Sequence, residues 1–397
     1  MKTSSPKLFI EINNSEYIFC VGHEDEQSEI QFIYKIIIPI KGIKNYRIVD
    51  FNLVFNSIKE NIYLIERKFN YIFKDVVIVL NNFNISVVNL SGFKKLNGSQ
   101  VLKDDITYIL NSLKSNVDET EKNKTIIHIF NSKYNLDKKD IKNLPIGLFG
   151  DFYFHELSFF LINNNDYKNL SNIFSACNLK IKKILLKNFV CGTLISKKNE
   201  NLNNFYKITI NENNSEVFYF ENDSLKFEQK FNFGSDLILK DISKITSLNQ
   251  ETVNKIINNM KLNRNIPCND LIEAEIFENH NYVKIKKKLI LEIAEARIHE
   301  LFEIFITKNI NLQSYVKKNK AVFFKIENKS YLDCFEETFR IFFSSNNMEF
   351  KLEDDISTED LLINANQIVQ FGWKKEAIPV INTKKTLIAK FFDTLFG

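Results

Sequence analysis

LFIEINNSEYIFCVGHEDEQSEIQFIYKIIIPI (residues 8–40) and FYKITINENNSEVFYFENDSLKFEQKF (residues 205–231) decide the fold. Each reads as three strands. In the first they fall at 8–12, 17–21 and 32–40, and in the second at 205–210, 217–220 and 225–231. Strand one and strand two are separated each time by a short polar turn, Asn13-Asn14-Ser15 and then Asn211 to Ser215, whose residue types break pairing and favour reversal. A helix follows the first set, with Phe51, Val54, Phe55, Ile58, Ile62, Ile65 and Phe69 close to i, i+3, i+4 spacing. Helical segments at 236–244 and 250–260 follow the second. One unit used twice, roughly 200 residues apart, is what gene duplication leaves.

Working outward, the stretch between the copies belongs to neither. Strands at 76–80 and 85–90, a helix at 104–113 and strands at 125–130 and 152–161 predict a small inserted α+β module. Beyond the second copy, 286–306 reads as one long helix, 321–325 as a strand and 331–341 as another helix. The expected class is α/β, a duplicated fold with an insertion in its first half, and 397 residues with 44% apolar content suffice for two to four cores.

Composition narrows the chemistry. The chain has 10 Gly, well below the usual ~7%, and no two of them form G-x-G. A Rossmann fingerprint and a Walker A loop are thereby excluded, since both place Gly where backbone must approach a phosphate. A net charge of +4, from 53 basic and 49 acidic residues, is too small and dispersed for a nucleic-acid partner. Five cysteines (20, 177, 191, 268 and 334) form no C-x-x-C, which predicts reduced thiols in a cytoplasmic protein. His23, His128, His155, His280 and His299 show no ligand spacing, so no metal site built from His or Cys is expected. The opening MKTSSPKLFIEI lacks a signal-peptide core, and no run approaches the ~18 apolar residues of a spanning helix.

The end of the chain is of another kind. In KKTLIAKFFDTLFG (384–397), Ile388, Phe391, Phe392, Leu395 and Phe396 form one stripe at i, i+3, i+4, i+7 and i+8, with Lys384 and Lys385 at its entrance. This is the pattern of an amphipathic helix lying on a membrane surface, after a linker at 374–383. A terminal helix docking on its own core would carry the same stripe.

Several stretches, in order along nearly the whole chain, resemble the actin-like bacterial cell-division family FtsA. GIKNYRIVDFNLVFNSIKENIYLIER (42–67) is similar to the family's G-I-K-x-G-x-I-V-D segment and the helix after it. IIHIF (126–130) resembles I-L-H-V-I-P, and NLPIGLFG (143–150) resembles N-P-I-G-M-x-G. FNFGSDLILKDISKI (231–245) and EARIHELFEIF (295–305) resemble P-x-G-G-x-x-I-T-x-D-I-A and R-V-E-E-I-F.

The resemblance implies a duplicated actin-like (ribonuclease H-like) fold with subdomain 1A at 1–86 and 160–200 and an inserted 1C (SHS2) module at 87–159. It implies 2A at 201–233 and 303–373, 2B at 234–302, and a membrane-targeting helix at 384–397. It implies a cytoplasmic adaptor, peripheral on the inner membrane at the division site, that binds the acidic C-terminal tail of FtsZ, self-associates into filaments and meets other divisome proteins. Arg297 matches a basic position of the FtsZ-binding surface. ATP and Mg2+ are implied as cofactors, at positions matching Glu11, Asn13, Asn14, Ser15, Asn211, Asn213, Asn214, Ser215, Glu216, Gly234 and Lys255.

The family's loop glycines are replaced here. I-D-I-G-T-S corresponds to residues 10–15, D-I-G-G-G-T-T-D to 209–216 and L-T-G-G-G to 323–327. Asn suits a left-handed turn better than any other residue but Gly, so the asparagines are expected to keep the hairpins by adopting that conformation while filling the phosphate space. ATP is therefore expected to bind poorly, and no catalytic residue is assigned. A kinase or ATPase of the same superfold, and an actin-like adaptor of pilus assembly, are the alternatives.

Overall fold

The computed structural model describes residues 5–377 apart from 14, 26–28, 82, 200–201, 203, 278–281, 314–319 and 354–355. Contacts divide the chain into two units, 1–187 with 362–397 and 188–361. The chain passes between them at Lys187/Asn188 and Leu361/Leu362.

The first unit opens with β1 (Lys7–Ile12), β2 (Glu16–Glu24) and β3 (Ile30–Pro39), then a short ribbon of β4 (Ile43–Lys44) and β5 (Arg47–Ile48). Helix α1 (Phe51–Phe69) starts where Asp50 accepts a hydrogen bond from the Leu53 amide at 3.0 Å, and it stops at Asn70 in the left-handed conformation, φ 46°. Val54, Ile58, Ile62 and Ile65 are buried along one face, as their spacing predicts, whereas Phe51 is exposed.

β6 (Asp75–Leu80), expected in the inserted module, instead joins the main sheet in parallel beside β1 through its apolar run at 76–80. After it comes the insertion: β7 (Ile85–Lys95), α2 (Lys103–Thr120), β8 (Lys124–Leu136), β9 (Lys139–Ile141) and β10 (Phe152–Asn163). Its strands form a separate antiparallel sheet, order β7-β10-β8-β9, with its own core of Ile109, Leu113, Val117, Tyr153, Leu157 and neighbours. Next are α3 (Asn164–Ala176) and β11 (Lys180–Leu186), and then α4 (Lys187–Lys198), which after Lys187 belongs to the second unit.

The second unit holds β12 (Asn204–Ile210), β13 (Ser215–Glu221), β14 (Ser224–Phe231), α5 (Asp236–Thr246), α6 (Gln250–Asn259), α7 (Lys287–Phe302), β15 (Lys320–Ile326), α8 (Lys329–Ser345) and β16 (Met348–Leu352). Helix α9 (Thr358–Phe371) leads back to the first. The long helix expected over 286–306 ends its α-helical part at Phe302 and continues as a π-helical turn, Glu303–Thr307. Phe302 is fully buried there and makes ring contacts with Phe305, Phe324, Phe339, Phe342 and Phe343.

The two main sheets have one topology. Read from opposite ends, they run β3-β2-β1-β6-β11 and β14-β13-β12-β15-β16. In both, the first three strands are antiparallel and the last two join in parallel. Equivalent loop hydrogen bonds recur as well: Asn81 N to Ile12 O and Glu327 N to Ile210 O, both 2.9 Å. The repeat read in the sequence is a repeat of structure.

The stretch assigned to a linker at 374–383 begins differently. Glu376 pairs with Phe130 of β8, the Asn131 amide donates to Lys375 O and the Ala377 amide to Ile129 O, both at 2.7 Å. Residues 375–377 thus add to the edge of the inserted sheet.

Candidate functional site

The two β-turns closing β1–β2 and β12–β13 carry most of the residues singled out above. In the first, the Asn13 amide donates to Glu16 O at 3.0 Å and Ser15 O accepts from Ile40. In the second, the Asn211 amide donates to Asn214 O at 2.9 Å, while the Asn211 side-chain amide donates to Asn214 Oδ1 at 2.6 Å. Contrary to the sequence expectation, Asn13, Asn211, Asn213 and Asn214 do not adopt positive φ. The left-handed asparagines lie elsewhere, among them Asn45, Asn70 and Asn222. The second turn closes through an amide–carbonyl and an amide–amide bond that need no left-handed residue. Asn14 lies outside the described residues.

Gly234 is required by approach rather than by φ. A Cβ there would sit 2.0 Å from Asn211 O and 2.6 Å from Glu212 O. The backbone runs this close because the Ser235 and Asp236 amides, at the start of α5, donate to those same two carbonyls at 3.0 Å. Ser215 Oγ completes the clasp by donating to Phe233 O at 2.9 Å.

The acids are neutralised within their own units. Glu11, 1% exposed on β1, pairs with the Lys187 ammonium at 2.7 Å, and that ammonium also donates to Asn13 Oδ1 at 3.0 Å. Glu216 on β13 lies 3.5 Å from Lys230. It shares a buried charged face with Lys207, which pairs with Glu353 at 2.8 Å, and with Glu228, whose carboxyl burial pushes up to about 7. Neither Lys187 nor Lys230 was marked by the sequence. Lys187 follows a lysine-bearing strand, and no local pattern separates it from Lys182 or Lys183.

Beside the second turn a cavity of about 690 Å³ is lined by Glu212, Asp236, Lys240, Asn254, Glu327 and Tyr331 among others. Lys240 is paired with Asp236. Lys255, one residue along α6 from Asn254, pairs with Glu251 at 3.2 Å and is absent from that lining. Arg297 on α7 joins Asp241 of α5 at 2.5 Å and Glu300 at 2.6 Å, and these bonds push its guanidinium pKa further up. Ile388, Phe391, Phe392, Leu395, Phe396, Lys384 and Lys385 lie outside the described residues.

Of the chain's own groups, the Glu11 carboxylate already faces an ammonium, and Glu212 and Asp236 set carboxylates in the lining of the cavity beside the second turn, charges that oppose a phosphate. A carboxylate about 4 Å from a phosphate charge costs roughly 4 kcal/mol at an effective dielectric of 20.

A pair of five-stranded sheets of identical mixed order, the first interrupted by a smaller sheet with one helix, defines an actin-like protein. No family model matches the chain. It is FtsA-like: it is similar to cell division protein FtsA of Buchnera aphidicola subsp. Schizaphis graminum, 23% identical over 314 residues, covering 78% of this chain and 74% of that protein. FtsA of Buchnera aphidicola subsp. Acyrthosiphon pisum is 21% identical over 312 residues, with the same coverage of 78% and 74%. Among solved structures, the PilM-PilN type IV pilus biogenesis complex superposes with a TM-score of 0.49 at 10% identity, over 93% of this chain and 97% of that one.

Proposed function

We propose that this chain is a cell-division adaptor, peripheral on the inner membrane, that tethers FtsZ filaments through their acidic C-terminal tails, self-associates in the manner of actin and gathers other divisome proteins. The observation that carries this reading is the in-order similarity to FtsA through both halves of the duplicated fold. In this reading the inserted sheet is the 1C (SHS2) module, α5 to α7 form 2B, and the protein works without ATP hydrolysis and without nucleic acid.

Among the described residues no helix is long and apolar enough to cross a membrane. The 384–397 stripe serves as the anchor. If each of its five apolar residues gains roughly 1 to 1.5 kcal/mol on partial burial, the gross gain is about 5 to 8 kcal/mol before helix ordering is subtracted. A single copy binds weakly, and an array of tails binds firmly through effective concentration. Changing Phe391 and Phe392 together to Asp is expected to abolish co-sedimentation with anionic liposomes at an unaltered melting temperature. Retained sedimentation would remove the tail from the mechanism.

The FtsZ tail is placed on the α5–α7 surface around Arg297. Because Asp241 and Glu300 already hold this guanidinium, an acidic peptide must share or displace them. Arg297→Glu is expected to weaken binding of an FtsZ tail peptide by about 2 kcal/mol or more. Glu300→Gln, which frees one side of the fork, is expected to strengthen it. Equal affinity in the parent and both variants would put the peptide elsewhere.

A further inference from the structure

We infer that Lys187 is a built-in counter-cation for Glu11, standing where a divalent metal would otherwise neutralise that carboxylate and closing the first turn to magnesium phosphates. Three observations carry this. Glu11 is 1% exposed, so its charge needs a partner of opposite sign inside the protein. The Lys187 ammonium is 2.7 Å from Glu11 and 3.0 Å from Asn13 Oδ1, so one cation collects two oxygen ligands from the turn and the strand before it.

The third concerns position. Lys187 is the first residue of α4, the positive end of the helix, where a cation is disfavoured and an anion would be welcome. A lysine held there against the helix dipole is held by what it faces. The carboxylate of β1 is thus already engaged by a side chain of the chain itself, and a metal with its phosphate would have to displace that ammonium.

Full-length protein is tested by melting curves with magnesium chloride alone, with ATP alone and with both, and by calorimetric titration of magnesium ATP. The parent is expected to show no magnesium-dependent shift and no saturable binding. Lys187→Ala leaves Glu11 buried and uncompensated, and its melting temperature is expected to fall by on the order of 10 °C. Millimolar magnesium is expected to restore several degrees of that loss in Lys187→Ala and in no other variant. The double variant Glu11→Gln with Lys187→Gln removes both charges. It is expected to melt well above Lys187→Ala, with no response to magnesium, and this comparison holds even where the single variant does not fold.

Saturable magnesium ATP binding by the parent, an equal magnesium shift in parent and Lys187→Ala, or a double variant no more stable than the single one would each overturn the assignment. None of these outcomes touches the adaptor reading, which vesicle and tail-peptide binding decide.

Discussion

Gly234→Ala is expected to lower stability by about 3 kcal/mol, at the upper end for a forced overpacking. The new methyl carbon would stand 2.0 Å from Asn211 O and 2.6 Å from Glu212 O, and both are main-chain atoms of the turn between β12 and β13. A flexible side chain could swing away, but these carbonyls are held by the Ser235 and Asp236 amides. Relief therefore requires breaking the two hydrogen bonds that fasten the start of α5 to the turn. Gly98→Ala is the control: its φ of +79° makes any side chain strained, but nothing lies within 4 Å. That strain alone costs about 1 to 2 kcal/mol. In melting curves the two variants are expected to separate clearly, with Gly234→Ala the lower. Equal melting temperatures would mean that the turn and α5 move apart freely.

Glu376→Ala is expected to cost about 3 to 5 kcal/mol, the range for removing one member of a buried charged group. Its carboxylate, with an 8% exposed side chain, bonds His128 Nδ1 at 2.8 Å and Lys183 at 2.6 Å, and His128 Nε2 accepts from the Leu186 amide at 3.3 Å. Without it, an ammonium and an imidazole in the packed sheet lose their acceptor, and residues 375–377 lose the side chain that fastens them beside β8.

Burial alone would raise the Glu376 carboxyl, yet the His128 bond and the Lys183 charge hold it at about 2 instead of 4.5. A depressed carboxylate contributes stability that is fully present above the unfolded pKa. That contribution is lost as pH falls from about 5 toward 2. A shift of that size corresponds to about 3 kcal/mol. The parent is therefore expected to lose melting temperature over this interval more steeply than Glu376→Gln, which has no proton to take up. Parallel pH profiles would show that this carboxylate is not the group responsible.

Much of the architecture was legible because its determinants are local. The strands at 8–12, 17–21 and 205–210 follow from apolar runs ended by polar turns, and the same pattern occurring twice announced a duplicated α/β fold. Helix α1 was visible in the spacing of Val54, Ile58, Ile62 and Ile65. The missing loop glycines were equally plain, and they pointed at the two turns before any geometry was known. Long-range partners carry no such signature. Lys187 is 174 residues from Asn13, and His128 is 248 from Glu376, so nothing in the neighbourhood of either lysine or histidine names the partner it meets. Asn13, Asn211, Asn213 and Asn214 sit on the expected turns with a different backbone, because residue type states what conformation is tolerated while the hydrogen bonds around the turn decide which one is used. By itself the sequence determined the elements and their repetition, through periodicity that any few neighbouring residues express. Which charges neutralise one another was decided by the tertiary structure, because burying a carboxylate such as Glu11 selects its partner from whatever the fold brings within about 3 Å.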